Sequence, residues 1–273
     1  MEYSIHSPES IKYYRQVLGA DNWVMEILIH GYKIPFKQIP GPYEDVNNKS
    51  AIKHSKFLWE KILEWESAGF CIRTKEKPYC VNPITVAEKV DPRTNKLKLR
   101  PCLDFSRHVN HYIKDQTVRL TNLQEAEKLL EKDDWQTSFD MLNMYFHVRV
   151  NEEFQKVFGC QVTSPEGEKI YFIFLVMIYG IKDAVFTVTK LTRPIVKKSN
   201  LSGIRFSIFI DDGKILGTSK SESEENLQTI LGILKNAGWN INETKTVTVA
   251  SQSLYHQGLI TCKKPSSLYF TRI

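Results

Sequence analysis

Hydrophobic residues in the first quarter of the chain recur at helical spacing after a stretch rich in turn-forming residues. Residues 36–50 collect Pro, Gly, Asn and Ser without periodicity, which indicates an extended connector. Ser50 is a suitable N-cap for the helix that follows, and Ala68-Gly69 is a suitable end. We therefore expect an N-terminal arm and connector over residues 1–50. The apolar face of the helix consists of Phe57, Leu58, Ile62, Leu63 and Trp65.

The rest of the chain alternates between β-rich runs and helical segments. Two runs, 81–90 and 97–105, flank a turn at 91–95 and predict a hairpin. A second hairpin is predicted where the apolar arms 206–210 and 214–216 flank Asp211-Asp212-Gly213, since Asp-Gly is typical of two-residue turns. The mixed order favours an α+β fold in which an antiparallel sheet is packed by helices. Further strands are predicted to end at Phe139-Asp140 and to cover 157–162 and 170–176, with helices at 121–132, 183–198 and 221–237.

Length and composition narrow the class of protein. The chain has 273 residues, of which 42% are hydrophobic and 25% charged, and a formal net charge of +6. These values are typical of a globular protein with one large or two small domains. The longest uncharged apolar run, residues 170–181, is shorter than the roughly 20 residues of a membrane-spanning helix, and we expect a buried strand there. The first residues lack a secretory pattern and the five cysteines never form CxxC, so we expect a soluble, intracellular protein with reduced thiols.

Three aspartates stand where predicted strands end or turn. Asp211 and Asp212 lie at the tip of the second hairpin, and Asp140 ends another apolar strand. Asp and Gly suit tight turns for local reasons, so Asp-Asp-Gly alone is also consistent with a purely structural turn. If the two strands are neighbours, Asp140 and Asp211 converge, and the concentrated negative charge favours two Mg²⁺ ions arranged for in-line phosphoryl transfer. Adjacent side chains on a strand diverge, so we expect Asp211 to be the closer ligand and Asp212 to be peripheral.

Four motifs follow one another along the chain. They are Leu-Arg-Pro-Cys-Leu-Asp-Phe (99–105), Ser-Phe-Asp-Met-Leu-Asn-Met-Tyr-Phe-His (138–147), Tyr-Gly-Ile-Lys-Asp-Ala (179–184) and Phe-Ile-Asp-Asp (209–212). In this order the chain resembles a reverse transcriptase. With Gly-Tyr-Lys-Ile-Pro-Phe (31–36), the segment 47–51 and Val-Asn-Pro (81–83), it closely resembles the polymerases of DIRS and Ngaro type tyrosine-recombinase retrotransposons. The resemblance covers nearly the whole chain and implies a right-hand polymerase palm with fingers.

The resemblance implies roles for individual residues of the palm. Asp140, Asp211 and Asp212 would be the catalytic, metal-binding carboxylates, holding two Mg²⁺ ions or Mn²⁺ in their place. Tyr145, five residues after Asp140, matches the ring that excludes a ribose 2′-hydroxyl, with Phe146 beside it in the nucleotide pocket. A core tyrosine is the structural alternative for Tyr145. Because side chains alternate on an extended strand, only one of the two rings can face the pocket.

The resemblance also implies residues that bind phosphates and template. Arg100 matches the fingers arginine over the incoming triphosphate, where a planar guanidinium suits phosphate. Lys96 and Lys98 would assist it, unless they belong to a solvated hairpin edge. Lys245 matches the basic residue near the leaving pyrophosphate that acts as a proton donor. The segment facing nucleotide and template is Tyr179-Gly180, and the primer-grip hairpin corresponds to 254–260.

Some positions depart from the family pattern. Ile178 and Val185 stand where relatives carry prolines that set turn geometry, and Gln257 stands before Gly258 where an apolar residue is usual. The pair His108 and His111 has no third ligand nearby in sequence, so loop histidines are favoured over a metal site. The resemblance implies a reverse transcriptase domain over 51–261, with fingers at about 51–120 and the palm at about 121–261. The thumb is expected to be absent or truncated, with only its start at 262–273.

The resemblance implies an RNA-directed DNA polymerase that adds deoxynucleotides to a primer 3′-hydroxyl. The expected partners are an RNA or DNA template with primer, deoxynucleotides, and a partner chain supplying a thumb or ribonuclease H, with no membrane partner. Basic residues around the first hairpin, including Arg93, would neutralise template-primer phosphates. Two alternatives remain open: a catalytically dead retrotransposon relic that retains nucleic-acid binding, and a genomic fragment without function.

Overall fold

The computed structural model describes residues 4–90, 95–117, 129–256, 259–264 and 267–272. Within this part of the chain, no helix is both long and apolar enough to cross a membrane. The helices are α1 (Pro8–Gln16), α2 (Asn22–His30), α3 (Lys49–Lys53), α4 (Ser55–Ser67), α5 (Val109–Tyr112), α6 (Glu152–Gln155), α7 (Ala184–Leu201) and α8 (Lys220–Asn236), with 3-10 turns at Phe105–Arg107 and Met144–His147.

The strands form four sheets in two compact units, each discontinuous in sequence. The first unit contains the described residues of 1–25, 117–144 and 187–273, and the second those of 26–116 and 145–186. The strands are β1 (Tyr43–Glu44), β2 (Cys71–Thr74), β3 (Cys80–Asn82), β4 (Ile84–Val90), β5 (Leu97–Leu103), β6 (Trp135–Asp140), β7 (Gly159–Thr163), β8 (Lys169–Phe174), β9 (Arg205–Phe209), β10 (Asp212–Gly217), β11 (Val247–Ser251), β12 (Leu254–His256), β13 (Leu259–Lys264) and β14 (Ser267–Arg272).

An antiparallel sheet in the order β11-β6-β10-β9 is the centre of the first unit. Helix α8 packs on it, and the buried Thr137 hydroxyl of β6 donates to the Ser223 carbonyl of α8 at 3.2 Å. A Cβ atom on Gly217 would stand 2.5 Å from the Ser223 nitrogen, so glycine permits the close approach of helix and strand. This arrangement confirms the predicted antiparallel sheet packed by helices.

Helix α8 has clear signals at both ends. Its N-cap Ser219 accepts from the Glu222 amide at 3.1 Å, while the Glu222 carboxylate accepts from the Thr218 amide at 2.7 Å. At the other end the Trp239 amide donates to Leu234 and the Gly238 amide to Lys235, which is a Schellman motif with Gly238 at a φ of +84°. The motif fixes where the chain leaves the helix. The buried residues Ser223, Leu227, Ile230 and Leu234 follow helical spacing.

The second unit contains a mixed sheet in the order β1-β3-β7-β8-β2 and the separate hairpin β4-β5. Strand β1 pairs in parallel with β3, which pairs in parallel with β7. The connector predicted over 36–50 therefore contributes an edge strand to this sheet. The hairpin β4-β5 confirms the one predicted from the runs 81–90 and 97–105, although β3 takes Val81-Asn82 and Pro83 separates it from β4.

Two other elements differ from the sequence prediction. The helix expected from Ser50 consists of two helices, α3 and α4, and Ser50 lies inside α3, where its hydroxyl accepts from the Val86 amide at 3.1 Å. The run 170–181 is a strand only as far as Phe174, and the rest of it lies in the irregular segment before α7, which begins at Ala184. Most of the predicted helix 121–132 lies outside the described residues.

Candidate active site

The ends of two neighbouring strands bring Asp140 and Asp212 together. Asp140 is the last residue of β6, Asp212 is the first of β10, and the antiparallel register pairs them directly. Side chains of directly paired residues lie on the same face of a sheet, about 5 Å apart. Asp140 is 8% exposed and Asp212 is half-buried. Two carboxylates therefore share one end of the sheet, partly shielded from solvent.

The turn between β9 and β10 is not the predicted one. Phe209 pairs with Asp212, so the two-residue turn is Ile210-Asp211. Gly213 lies inside β10 opposite Phe139, and a Cβ atom on it would stand 2.2 Å from the Phe139 ring. Glycine at this position serves the close packing of β10 against β6. The Asp-Gly turn prediction is therefore wrong in its register, although the hairpin itself is present.

Asp211 occupies the turn and is tied to the end of β6. Its carbonyl oxygen accepts from the Met141 amide at 2.8 Å. Ile210 before it has a φ of +57°, which is strained for a β-branched residue and costs about 1–3 kcal/mol. The three aspartates thus lie at one end of the sheet. The strand register pairs Asp140 with Asp212, however, whereas the sequence analysis expected Asp211 to be the closer ligand.

Burial and the neighbouring aspartates change the pKa of Asp212. Its pKa is raised from 3.8 to about 6, mainly by burial and then by the negative charges of Asp211 and Asp140, while the Lys245 ammonium opposes the rise. Burial and neighbouring like charge both disfavour the ionised carboxylate. A cation placed among these side chains would remove that penalty.

Both carboxylate oxygens of Asp140 have a donor in the segment that follows α8. Lys245 Nζ lies 2.7 Å from Oδ2 and Asn242 Nδ2 lies 3.0 Å from Oδ1. The Asn242 amide also donates to the Asp140 carbonyl at 2.8 Å. Lys245, predicted to act near the leaving pyrophosphate, is thus placed at a candidate metal ligand. Sequence reasoning missed Asn242, and the only available signal was its position three residues before Lys245.

The three aspartates match in kind the ligands of the two Mg²⁺ ions that the sequence predicts. Asp140, Asp211 and Asp212 offer hard carboxylate oxygens, the ligands that Mg²⁺ prefers, and their mutual repulsion favours a cation. Among the described residues, however, no group of three His, Cys, Asp or Glu side chains is close enough to hold a metal ion. The Lys245 ammonium instead neutralises Asp140. The residues fit the ion in kind, with a lysine in contact with one of the carboxylates.

Tyr145 and Phe146 lie in a 3-10 turn of the chain rather than on the extended strand assumed from the sequence. Tyr145 is 8% exposed and meets the ring of Tyr179 edge to face, with 5.0 Å between centroids. Phe146 is 2% exposed and packs against Trp65 and Phe70 at 5.3 and 4.9 Å. Phe146 therefore belongs to the core of the second unit, and this burial leaves it no surface for the predicted contact with a nucleotide.

The segment Tyr179-Gly180 is held by a side chain that the sequence did not single out. Asn110 donates to the Gly180 carbonyl and accepts from the Lys182 amide, both at 2.9 Å. Gly180 has a φ of +108°, and a Cβ atom on it would stand 1.9 Å from the Leu103 carbonyl oxygen, so only glycine fits. Asn110 thus fixes a turn that lacks the two prolines of the family pattern.

Arg100, Lys98 and Lys96 lie on or directly before β5. Arg100 is exposed on β5 opposite Ala87, and Lys98 and Lys96 are exposed towards the end of the same hairpin. Arg93 lies outside the described residues. The predicted primer grip corresponds to β12 paired with β13, which in turn pairs with β14. His108 stacks on Tyr43 with 4.4 Å between ring centroids, which gives this histidine a packing role.

Comparison with known proteins identifies the family. The family model described as reverse transcriptase (RNA-dependent DNA polymerase) matches residues 88–263. This range is more than half of the chain, and the chain belongs to the reverse transcriptase family. Among curated protein sequences there is no match.

Solved structures show the same fold. A foamy viral protease-reverse transcriptase in complex with an RNA/DNA hybrid matches with a TM-score of 0.66 and 18% identity, over 85% of this chain and 29% of that one. A Prototype Foamy Virus protease-reverse transcriptase mutant matches with a TM-score of 0.66 and 16% identity, over 89% of this chain and 30% of that one. The α+β fold therefore resembles the palm and fingers of these enzymes, and this chain spans less than a third of their length.

Proposed function

We propose that this chain is the palm and fingers part of a reverse transcriptase that adds deoxynucleotides to a primer 3′-hydroxyl along an RNA or DNA template. The observation that carries the proposal is the pairing of Asp140 with Asp212 at the sheet end where Asp211 forms the turn. Family membership makes template-directed DNA synthesis the natural use of these carboxylates. We further propose kinship with DIRS and Ngaro type elements, because the motifs at 31–36, 47–51 and 81–83 resemble those of their polymerases.

In this proposal Asp140, Asp211 and Asp212 hold two Mg²⁺ ions, or Mn²⁺ in their place. When bound, the ions supply charge neutralisation of the phosphates in an in-line displacement. The raised pKa of Asp212 is consistent with the assignment, because burial and then the charges of Asp211 and Asp140 disfavour its ionised form, and a bound cation would oppose both effects. Lys245 would give a proton to the leaving pyrophosphate once its ammonium is released from Asp140.

Residues of the second unit would bind the nucleotide and the template. Arg100 and Lys98 present exposed positive charge on β5 for the triphosphate. Tyr145 would exclude a ribose 2′-hydroxyl by the bulk of its ring, supported by its contact with Tyr179. Gly180 would allow the backbone to approach the template strand. We also propose a partner chain that contributes a thumb or ribonuclease H.

A second candidate function is nucleic-acid binding without polymerisation. It is favoured by the contact of Lys245 with Asp140, which neutralises a proposed metal ligand internally. A basic chain of net charge +6 would still bind template-primer through its phosphates.

Primer extension by the purified chain with Mg²⁺ separates the two functions. We expect deoxynucleotide addition by the parent chain and none by Asp211→Asn, since the carboxylate is removed from a turn at little cost in stability. Asp133→Asn, an exposed aspartate of the same unit in a left-handed conformation that asparagine tolerates, is the matched control and should stay active. An active Asp211→Asn variant would rule out the assigned carboxylates.

Binding of a labelled template-primer at two salt concentrations completes the experiment. Affinity should fall steeply as salt rises, because phosphate contacts release counterions, and it should survive Asp211→Asn. An inactive parent chain with salt-sensitive binding would support the binding-only function. Neither activity nor salt-sensitive binding would leave a fragment without function.

A further inference from the structure

Asn242 makes two direct contacts with Asp140, one through its side chain and one through its backbone. Its Nδ2 donates to Oδ1 of Asp140 at 3.0 Å, and its backbone amide donates to the Asp140 carbonyl at 2.8 Å. The first contact restrains the rotation of the Asp140 carboxylate about its Cβ–Cγ bond. The second fixes the backbone from which that carboxylate projects.

The amide of Asn242 is itself held in one orientation. Its Oδ1 accepts from the Thr244 hydroxyl at 2.8 Å, so the Nδ2 group is the one presented to Asp140. Its carbonyl accepts from the amides of Lys245 and Thr246, both at 3.1 Å, and from the Thr246 hydroxyl at 2.9 Å. A hydrogen-bond network that satisfies both ends of an asparagine side chain determines which end faces its partner.

The segment that carries Asn242 is anchored on both sides. Before it, the Schellman motif sets the exit from α8, and the Leu142 amide donates to the Asn240 carbonyl at 2.9 Å. Ile241 forms an antiparallel bridge with Met141, the residue after Asp140. Backbone hydrogen bonds therefore hold Asn242 next to the end of β6.

We propose that Asn242 is a positioning residue that holds the Asp140 carboxylate through Oδ1 and leaves Oδ2 as the oxygen that would bind a cation. The inference rests on the proposed function, in which Asp140 is a metal ligand. With Oδ1 engaged by Asn242, Oδ2 is the oxygen left for exchange, and in the structure it contacts the Lys245 ammonium. Partners of this kind typically change metal affinity by about 10–100-fold when removed.

The test is Mn²⁺ binding to the full chain, measured by the loss of the electron paramagnetic resonance signal of the free ion. Asn242→Ala should weaken Mn²⁺ binding about tenfold while the thermal unfolding midpoint changes no more than in the control. The matched control is Asn226→Ala, which removes another side-chain amide of the first unit, one that donates to the Leu216 carbonyl at 3.4 Å. Asn226→Ala should leave Mn²⁺ affinity unchanged.

A second variant covers the case in which Asn242→Ala does not fold. Thr244→Val keeps Asn242 but removes the hydroxyl that orients its amide, and it should weaken Mn²⁺ binding by less than Asn242→Ala does, by allowing the amide to turn. Equal affinity in the parent chain and the folded variants would overturn the role of Asn242 and leave the proposed function standing. A parent chain that binds no Mn²⁺ would overturn the proposed function and the inference with it.

Discussion

The indole nitrogen of Trp239 donates a hydrogen bond at 2.8 Å to the hydroxyl of Tyr14, a residue 225 positions earlier in the chain. The same hydroxyl donates to the Leu191 carbonyl at 3.1 Å, and both rings are almost fully buried. Trp239 directly precedes the segment that leads to Asn242 and Lys245. Helix α1, which lies outside the range matched by the family model, thus braces the polypeptide that holds Asp140.

Removing this brace should destabilise the first unit. Tyr14→Phe keeps the ring but leaves the Trp239 nitrogen and the Leu191 carbonyl without their buried partner, so we expect a loss of about 1–2 kcal/mol in the free energy of unfolding. Urea denaturation measures this loss. The control is Tyr13→Phe, since Tyr13 is only partly buried and water can replace its bond to Asn236. Equal effects of the two substitutions would contradict the assigned brace.

Lys245 should compete with metal for Asp140. Lys245→Met removes the ammonium from Oδ2, and we expect Mn²⁺ to bind about fivefold more tightly, corresponding to about 1 kcal/mol for an ion pair of this exposure. Lys220→Met, at the exposed start of α8, is the control and should leave the affinity unchanged. The opposite signs expected for Lys245→Met and Asn242→Ala distinguish competition from general loss of structure. Weaker binding by Lys245→Met would contradict the competition.

Ile210 stores strain in the turn that carries Asp211. Ile210→Gly should raise the free energy of unfolding by about 1 kcal/mol, because relief of a positive φ on a β-branched residue exceeds the entropic cost of glycine. Ile208→Gly, two residues earlier in the regular strand β9, should destabilise the protein instead. Chemical denaturation of both variants provides the measurement. Destabilisation by both would show that the turn is not strained.

Tyr145 is expected to exclude ribonucleotides by its bulk. Tyr145→Phe should preserve the preference for deoxynucleotides, whereas Tyr145→Ala should admit ribonucleotides and cost about 3 kcal/mol of stability, because the ring is buried against Tyr179. Incorporation of both nucleotide types by each variant is the measurement. Unchanged discrimination by a folded Tyr145→Ala variant would assign the ring to the core alone.

Asp183 should make the stability of the second unit depend on pH. Its carboxyl is 2% exposed and accepts from the Tyr32 hydroxyl, and burial raises its pKa above the ordinary 3.8. The native state therefore keeps the proton longer than the unfolded state, and its stability falls as pH rises from 3.8 through the raised pKa. Asp183→Asn should remove this fall, as measured by urea denaturation across that range.

Asp115 provides a control of opposite sign for this titration. It is exposed, and its pKa is lowered by hydrogen bonds and ion pairs with Lys182 and Lys37. Its contribution to stability is present at neutral pH and is lost as pH falls through the lowered pKa. Asp115→Asn should therefore leave the fall at rising pH intact. The same pH profile in Asp183→Asn as in the parent chain would rule out Asp183 as its source.

Much of the candidate site was predictable from local features of the sequence. The periodicity of Leu227, Ile230 and Leu234 and the caps at Ser219 and Gly238 define α8 without reference to any other element. The apolar arms around the aspartates predicted the hairpin, and the ordered motifs predicted the family. These features are local because helix and strand periodicity, capping and motif spacing depend on residues near one another in the chain.

The tertiary structure decided which residues meet. Asp212-Gly213 is a typical two-residue turn sequence, yet Gly213 lies in β10 and packs closely against the ring of Phe139 on β6. The turn is therefore Ile210-Asp211. Register then pairs Asp212 with Asp140, and the exit from α8 brings Asn242 to the same carboxylate from 102 residues away. Such pairings depend on how sheets and helices pack over long separations, where side-chain volume and hydrogen-bond satisfaction outweigh local preference.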